Sequence, residues 1–340
     1  MYTAKTARRR MAALMVSASL AGVLAGCSAA TPAPATTSGE AGDPFAPESE
    51  VIKIGGFSAI SFPMIAAETA GVPDKYGIEL PWTTVESSPA SISLAVGGGA
   101  DFAHTSYWGV VDSINQGIEL RIVAESIAAA PGITQLVVLP DSGYTDLEDL
   151  AGKKVAVVSL NSNPHIILSA ELKEAGIDPE SGLEFVQLPF GEMPAALENN
   201  LVDAAIIAGA ALSDAVNTLN TETLFDFGGG EYEGFPEGGW ITTKQYAETH
   251  PNNVAAFQCT QIAANEIIST DDEAFADALR QLDYNEEAVK FSMENAATFP
   301  TEYNLEALQG LFDTAFELGR ITTQLDVEDY IVPLPENCEE

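Results

Sequence analysis

The sequence predicts an α/β protein of two similarly wired lobes, with parallel or mixed sheets, flanking helices and a helical C-terminal region. Three observations carry that expectation. Short β-rich runs alternate with helical segments along the body of the chain, the pattern repeats weakly about a hundred residues on, and past residue 251 the apolar residues fall at helical spacing.

Val51-Ile-Lys-Ile-Gly55, Gln135-Leu-Val-Val-Leu139, Lys154-Val-Ala-Val-Val158 and Leu183-Glu-Phe-Val-Gln187 are short β-rich runs and read as strands. Three helix starts share one punctuation: Ser61-Phe62-Pro63, Ser88-Pro89 and Asn163-Pro164 set a hydroxyl or amide at or next to the cap and proline in the first turn. The free N–H groups of those first turns point back toward the preceding strand ends, where open α/β sheets hold ligands. Gly97-Gly98-Gly99 follows a helix and precedes a strand, so it reads as a helix stop rather than a phosphate cradle.

The first strand and Pro63 are echoed by strand 154–158 and Pro164, 101 residues on. Leu94-Ala-Val-Gly-Gly-Gly-Ala-Asp101 is echoed by Leu197-Glu-Asn-Asn-Leu-Val-Asp203, 102 residues on. Residues 254–268, 272–282, 286–297 and 305–319 then carry apolar residues three and four apart, and these helices are expected to complete and cover the first lobe.

Ahead of the body, Arg8-Arg9-Arg10, an apolar stretch over residues 11–24 and the run Leu24-Ala25-Gly26-Cys27 have the order of a secretory leader and resemble a bacterial lipobox. Residues 1–26 are therefore expected to be a signal peptide. Cys27 is expected to be acylated, fixing an extracytoplasmic protein to the bacterial cell membrane. Residues 27–50, rich in Ala, Thr, Pro, Ser and Gly, read as a flexible tether. Loss of the leader leaves 10 basic against 50 acidic residues, a net charge near −40 that excludes nucleic acid as a natural partner and is read as solubility. Cys259 and Cys338 are an even pair in a compartment where disulfides persist, and a bond between them is expected. A metal site is the weaker alternative, since these cysteines and His104, His165 and His250 show no CxxC or HxxxH spacing; neither metal nor cofactor is expected.

Ala95-Val-Gly-Gly-Gly-Ala-Asp101-Phe-Ala, Gly117-Ile-Glu-Leu-Arg-Ile-Val123, Asp146-Leu-Glu-Asp-Leu-Ala-Gly152-Lys-Lys-Val-Ala-Val157 and Ala196-Leu-Glu-Asn-Asn-Leu-Val-Asp203-Ala-Ala occur in that order. Over roughly residues 51–245 this series resembles the solute receptors of ABC importers. More narrowly, it is similar to the branch that holds aliphatic-sulfonate, taurine, nitrate and thiamine-precursor pyrimidine binding proteins. The resemblance implies a two-lobed, type II periplasmic-binding-protein-like fold, with lobe 1 over residues 51–138 plus 242–340 and lobe 2 over residues 139–241. It also implies two crossing strands, hinge closure on a small-molecule ligand, and a membrane permease with its cytoplasmic ATPase as partner. A monomer is expected.

Four strand-to-helix loops are expected to face the cleft. They offer Ser58, Ser61 and Phe62; Ser88; His104, Thr105, Ser106 and Trp108; and Asn161, Ser162, Asn163 and His165, with Trp240 near the return crossing. Core packing competes as a role for His104, Trp108 and Trp240, a helix cap for Asn163, and filling of the first helical turn for His165. Asp101 and Asp203 are read as turn caps. Hydroxyls, amides, imidazoles and aromatics suit a small ligand held by convergent hydrogen bonds between apolar faces. The four loops contain no lysine or arginine, and acids such as Glu192 and Glu231 lie in other loops. A pyrimidine-like or other neutral or cationic heteroaromatic ligand is favoured on that basis. The alternative is a sulfonate, taurine or nitrate held by helix N–H groups.

An enzyme is the competing class, yet the chain has no GxSxG elbow, HExxH or Walker-type loop, and no catalytic residue is assigned. Synthases of the pyrimidine branch sacrifice a histidine, which leaves His104 and His165 as the residues on which that alternative rests. Export argues against it. A structural adhesin is distinguished by lacking ligand-induced stabilisation.

Overall fold

The computed structural model describes residues 46–338, so the leader, Cys27 and most of the tether lie outside the described residues. In chain order the elements are β1 (Ile54–Gly56), α1 (Phe62–Thr69), α2 (Val72–Lys75), β2 (Trp82–Thr84), α3 (Ser88–Val96), β3 (Phe102–Ser106), α4 (Tyr107–Asn115) and β4 (Leu120–Ala128). After a crossing come β5 (Thr134–Val138), β6 (Lys154–Val157), α5 (Asn163–Glu174), β7 (Glu184–Gln187), α6 (Met193–Glu198), β8 (Ala204–Ala208), α7 (Gly209–Leu219) and β9 (Glu222–Asp226). A second crossing leads to β10 (Pro236–Thr243), α8 (Lys244–Thr249), α9 (Pro251–Thr270), α10 (Asp272–Gln281), α11 (Glu286–Glu294) and α12 (Leu305–Glu317).

Two five-stranded sheets result, ordered β2-β1-β3-β10-β4 and β7-β6-β8-β5-β9. Their wiring is the same: a first strand lies between two parallel partners, followed by an antiparallel strand that has crossed from the other half. The repeat extends to single bonds. Asp101 accepts from the Lys53 N–H at 2.7 Å and Asp203 from the Lys154 N–H at 2.9 Å, each carboxylate stitching a helix-to-strand turn onto the neighbouring strand. The glycine run after α3 ends it with Gly98 at φ 72°, a left-handed position that glycine adopts without steric cost.

The chain passes between the sheets at residues 129–133 and 227–235, upstream of the boundaries expected after residues 138 and 241. Strand β5 pairs with β8 and β9, and β10 with β3 and β4, so each crossing strand belongs to the sheet it enters. Long-range pairing sets that membership, and local periodicity carries no record of it. The crossings touch backbone to backbone: the Ala129 N–H donates to Phe235 O at 2.8 Å and the Gly234 N–H to Ala129 O at 2.8 Å.

Helices cover both faces of each sheet. Phe102 stacks on Phe257 of α9 at 4.2 Å, with Trp240 edge-on at 5.1 Å, and each such buried ring contributes about 1.5–3 kcal/mol. The C-terminal helices do more than cover the first sheet. Phe291 of α11 packs against the apolar cluster of the second sheet, and the Asn217 amide of α7 donates to Glu287 of α11 at 3.2 Å. Cys259 in α9 is bonded to Cys338 with Cα atoms 5.3 Å apart, within the normal range for a bridge. The tail is also held by the Tyr76 hydroxyl donating to Cys338 O at 2.6 Å and by the Gln258 amide donating to Val332 O at 3.1 Å. Among the described residues no helix is long and apolar enough to cross a membrane, and no group of His, Cys, Asp and Glu is arranged to hold a metal.

Candidate ligand-binding site

A cavity of about 580 Å³ lies where the strand ends of the two sheets meet. Strand periodicity decides which residues of β3 reach it. His104 and Ser106 share one face and line the cavity, while Thr105 points to the other face, fully buried near Gly109. His104 can sit there because β10 is glycine where the two strands touch: a Cβ on Gly238 would lie 2.9 Å from the His104 ring, and one on Gly239 2.2 Å from the Tyr107 hydroxyl. Burial holds the imidazole of His104 neutral, its pKa lowered to about 3, and neither ring nitrogen has a hydrogen-bond partner among the described residues.

Glu237 is the acid of the site. Pro236 pairs with Ala128 and Gly238 with Ile127, leaving Glu237 as the extra residue of a β-bulge, a device that re-aims a side chain. It lines the cavity, its carboxylate makes no hydrogen bond or ion pair with the described residues, and burial pushes its pKa up to about 7. Glu192 and Glu231, the acids noted in the sequence, are exposed and off the cavity wall.

One wall is aromatic. Phe62 stacks on Phe275 at 5.3 Å, and Phe299 stands edge-on to both at 5.6 and 6.0 Å. Phe57, Phe190, Tyr284 and Phe291 extend it. The second half contributes the N-terminal turns of α5 (Asn163, Pro164) and α7 (Gly209, Ala210, Ala211), neither with a side-chain cap hydrogen bond. No lysine or arginine lines the cavity.

Of the residues expected from the sequence, Phe62, His104, Ser106 and Asn163 meet at the cavity. The others lie off its wall. The Ser61 hydroxyl is turned back onto Ser58 O at 2.8 Å, and Ser58 is exposed. Ser88 supports Ser106 from behind, oxygen to oxygen at 3.2 Å. Trp108, 2 % exposed, is core, and its indole N–H donates to Asn163 Oδ1 at 2.8 Å. Trp240 is core between β10 and α9. Asn161 adopts φ 63°, with its N–H donating to His165 Nδ1 at 3.1 Å; the His165 ring lies against Phe185 at 4.5 Å, and its pKa is lowered to about 4 by burial and then by Arg320. The Ser162 hydroxyl donates to Ser159 O at 2.9 Å.

Sequence reading missed Glu237 and the wall from α10 and residue 299. The glycine pair in Pro236-Glu237-Gly238-Gly239-Trp240 was the available signal, since glycines inside a strand mark a bulge or a close approach. The aromatics gave none, because their helices read as ordinary amphipathic cover.

Two crossed-over α/β halves with a cavity between them define the periplasmic-binding-protein fold. The chain belongs to the NMT1/THI5-like family, whose model matches residues 60–274. Among solved structures it is similar to the periplasmic aliphatic sulphonate binding protein SsuA from Escherichia coli, at 20% identity and TM-score 0.69, covering 83% of this chain and 97% of that one. The periplasmic nitrate-binding protein NrtA from Synechocystis PCC 6803 is similar at 16% identity and TM-score 0.66, covering 84% and 87%. So is the Candida albicans CA3427 gene product, described as having the generic periplasmic binding protein fold, at 15% identity and TM-score 0.63, covering 84% and 98%. No curated protein sequence matches the chain.

Proposed function

We propose that this protein is an extracytoplasmic solute receptor of an ABC importer. It binds a small molecule between its two halves and delivers it to a membrane permease with a cytoplasmic ATPase. The observation that supports this reading is the shared cavity: His104 and Glu237 come from one sheet and Asn163 and Ala210 from beyond the other, while the chain crosses between sheets only twice among the described residues. A ligand touching both walls binds the closed form better than the open one, and that difference drives closure. Phe62, His104, Ser106 and Asn163 are its contacts in this reading, and Cys27 carries the lipid anchor of a monomeric receptor.

The ligand favoured by the site is a neutral or cationic heteroaromatic molecule, of which a thiamine-precursor-like pyrimidine is one case. An anion such as a sulfonate or nitrate is the alternative, favoured by the uncapped first turns of α5 and α7 at the cavity. The reading assigns no catalytic residue. A histidine-consuming pyrimidine synthase is the alternative of another class, resting on the unpartnered ring of His104.

A thermal-shift screen over pyrimidines, amines, sulfonates and nitrate tests the receptor reading, since a ligand at 100 times its Kd adds about 2.7 kcal/mol to stability. Stabilisation by none of them contradicts it. Conversion of a pyrimidine precursor with loss of the His104 ring, seen by mass spectrometry, favours the synthase. Cys27→Ser is expected to shift the protein out of the membrane fraction, and unchanged fractionation with an unmodified Cys27 overturns the anchor.

A further inference from the structure

We propose that the cavity is built for an amphipathic organic cation larger than a single pyrimidine ring, its protonated nitrogen set against Glu237 and its apolar body against Phe62, Phe275 and Phe299. The inference rests on the receptor reading and deepens it.

Charge comes first. Glu237, half-buried, is the one acidic side chain on the cavity wall, no lysine or arginine lines it, and its carboxylate makes no hydrogen bond or ion pair with the described residues. A carboxylate removed from water without a partner is unfavourable, and a bound ammonium or amidinium restores what burial removes. The competing features are the uncapped first turns of α5 at Asn163 and Pro164 and of α7 at Gly209–Ala211. Each helix end is equivalent to roughly half a positive charge, spread over several N–H groups and screened within one turn, whereas Glu237 sets its charge on one group, and a cation bound beside it favours the ionised form. The helix N–H groups are then free to bind a neutral acceptor atom on the same ligand. His104 adds no positive charge, because burial keeps it neutral.

Size comes second. The cavity, about 580 Å³, is far larger than nitrate, a small sulfonate or a single pyrimidine ring. Most of the aromatic wall then stays wet, and the favourable free energy of covering it is not realised. A longer apolar body covers it.

Register comes third. Pro236 and Thr298 both pair with Ala128, on its two sides, so Glu237 and Phe299 each follow directly on a partner of the same residue. The acid and the aromatic wall are therefore neighbours, as an amphipathic ligand requires. The bulge supplies the aim, since without the extra residue the 237 side chain keeps the alternation of β10.

The test uses matched probes on the full chain: 4-phenylbutylamine and 4-phenylbutane-1-sulfonate, which share a body and differ in head-group sign, with methylamine and a 4-aminopyrimidine as small controls. Calorimetric titration is expected to show the phenylbutylamine binding at least tenfold tighter than its sulfonate and than either small control. Glu237→Gln should weaken the phenylbutylamine at least tenfold, and Glu237→Asp, which keeps the charge, should weaken it less. Preference for the sulfonate, preference for the aminopyrimidine, or equal affinity of wild type and Glu237→Gln for the phenylbutylamine overturns the inference while leaving a receptor. If Glu237→Gln does not fold, the wild-type ranking of the four probes decides alone. Binding of none of the four overturns the inference, and the receptor reading falls only if the wider screen is silent too.

Discussion

The indole N–H of Trp108 donates to Oδ1 of Asn163 across 2.8 Å, tying the helix after β3 to the helix after β6. Arg320 joins the same seam: its guanidinium lies 5.7 Å from the Trp108 ring, pairs with Asp112 at 2.7 Å and reaches Asn161 Oδ1 at 3.4 Å. Trp108 therefore ties the two halves together from behind the cavity and does not line it.

Trp108→Phe removes that bond and keeps an aromatic ring in place. A hydrogen bond of this kind contributes about 0.5–1.5 kcal/mol, so apparent ligand affinity should fall about 2- to 10-fold through a less populated closed state. Trp108→Ala should instead cost about 3–5 kcal/mol of fold stability. Calorimetry and denaturant unfolding on the pair check this; unchanged affinity in Trp108→Phe contradicts the closure role.

The carboxyl of Glu237 titrates near 7 in the folded protein and near its ordinary value of 4.5 when unfolded. Between those values the folded form holds the extra proton, so stability falls as pH rises through the window. His104, neutral in the folded form but protonated below about 6.5 when unfolded, opposes this slope, yet it and Tyr284, whose pKa is raised by burial, are present in both proteins and cancel in the comparison with Glu237→Gln. Glu237→Gln should match wild type at pH 4 and exceed it by about 1–3 kcal/mol at pH 8, without ligand. Glu125, raised to about 7 as well, is present in both proteins and cancels in the difference. Urea unfolding at the two pH values checks the sign.

Gly228 marks the closest approach of the crossings. A Cβ there would lie 2.0 Å from Ala130 O and 2.7 Å from Ala130 N, backbone atoms that cannot turn aside. Gly228→Ala should destabilise by about 1–3 kcal/mol and change the hinge. Gly310→Ala in α12, where a Cβ meets nothing within 4 Å, should stabilise by about 0.5–1 kcal/mol. Melting curves of the two variants shifting in the same direction contradict this account of the crossing.

The Cys259–Cys338 bond spans 79 residues, for which loop-closure entropy gives about 4–5 kcal/mol. Because Tyr76 and Gln258 hold the tail as well, Cys338→Ser should cost less, about 2–4 kcal/mol. Neither cysteine lines the cavity, so ligand affinity should hold at temperatures where the variant is folded.

Local chemistry made much of the fold legible. Strand runs, proline-marked helix starts and the Asp101 and Asp203 turns are written within a few residues of themselves, and the two aspartates make equivalent bonds to Lys53 and Lys154. The crossing of β5 and β10 into opposite sheets is a long-range pairing and was displaced in the sequence reading. In the site, Thr105 and Trp108 lie within two residues of Ser106 in sequence, but one faces the reverse of its strand and the other the seam. Phe275 and Phe299 reach the cavity only because the helical block folds back over it.

Closure around a small molecule, as proposed for this receptor, is read from the distance between the halves. Spin labels at Glu86→Cys and Glu192→Cys, exposed positions after β2 and β7, report that distance in a Cys27→Ser background that leaves the native disulfide intact. Any compound of the thermal-shift screen that raises the melting temperature is expected also to shorten and narrow the distance distribution. A stabilising compound that leaves the distribution unchanged contradicts it.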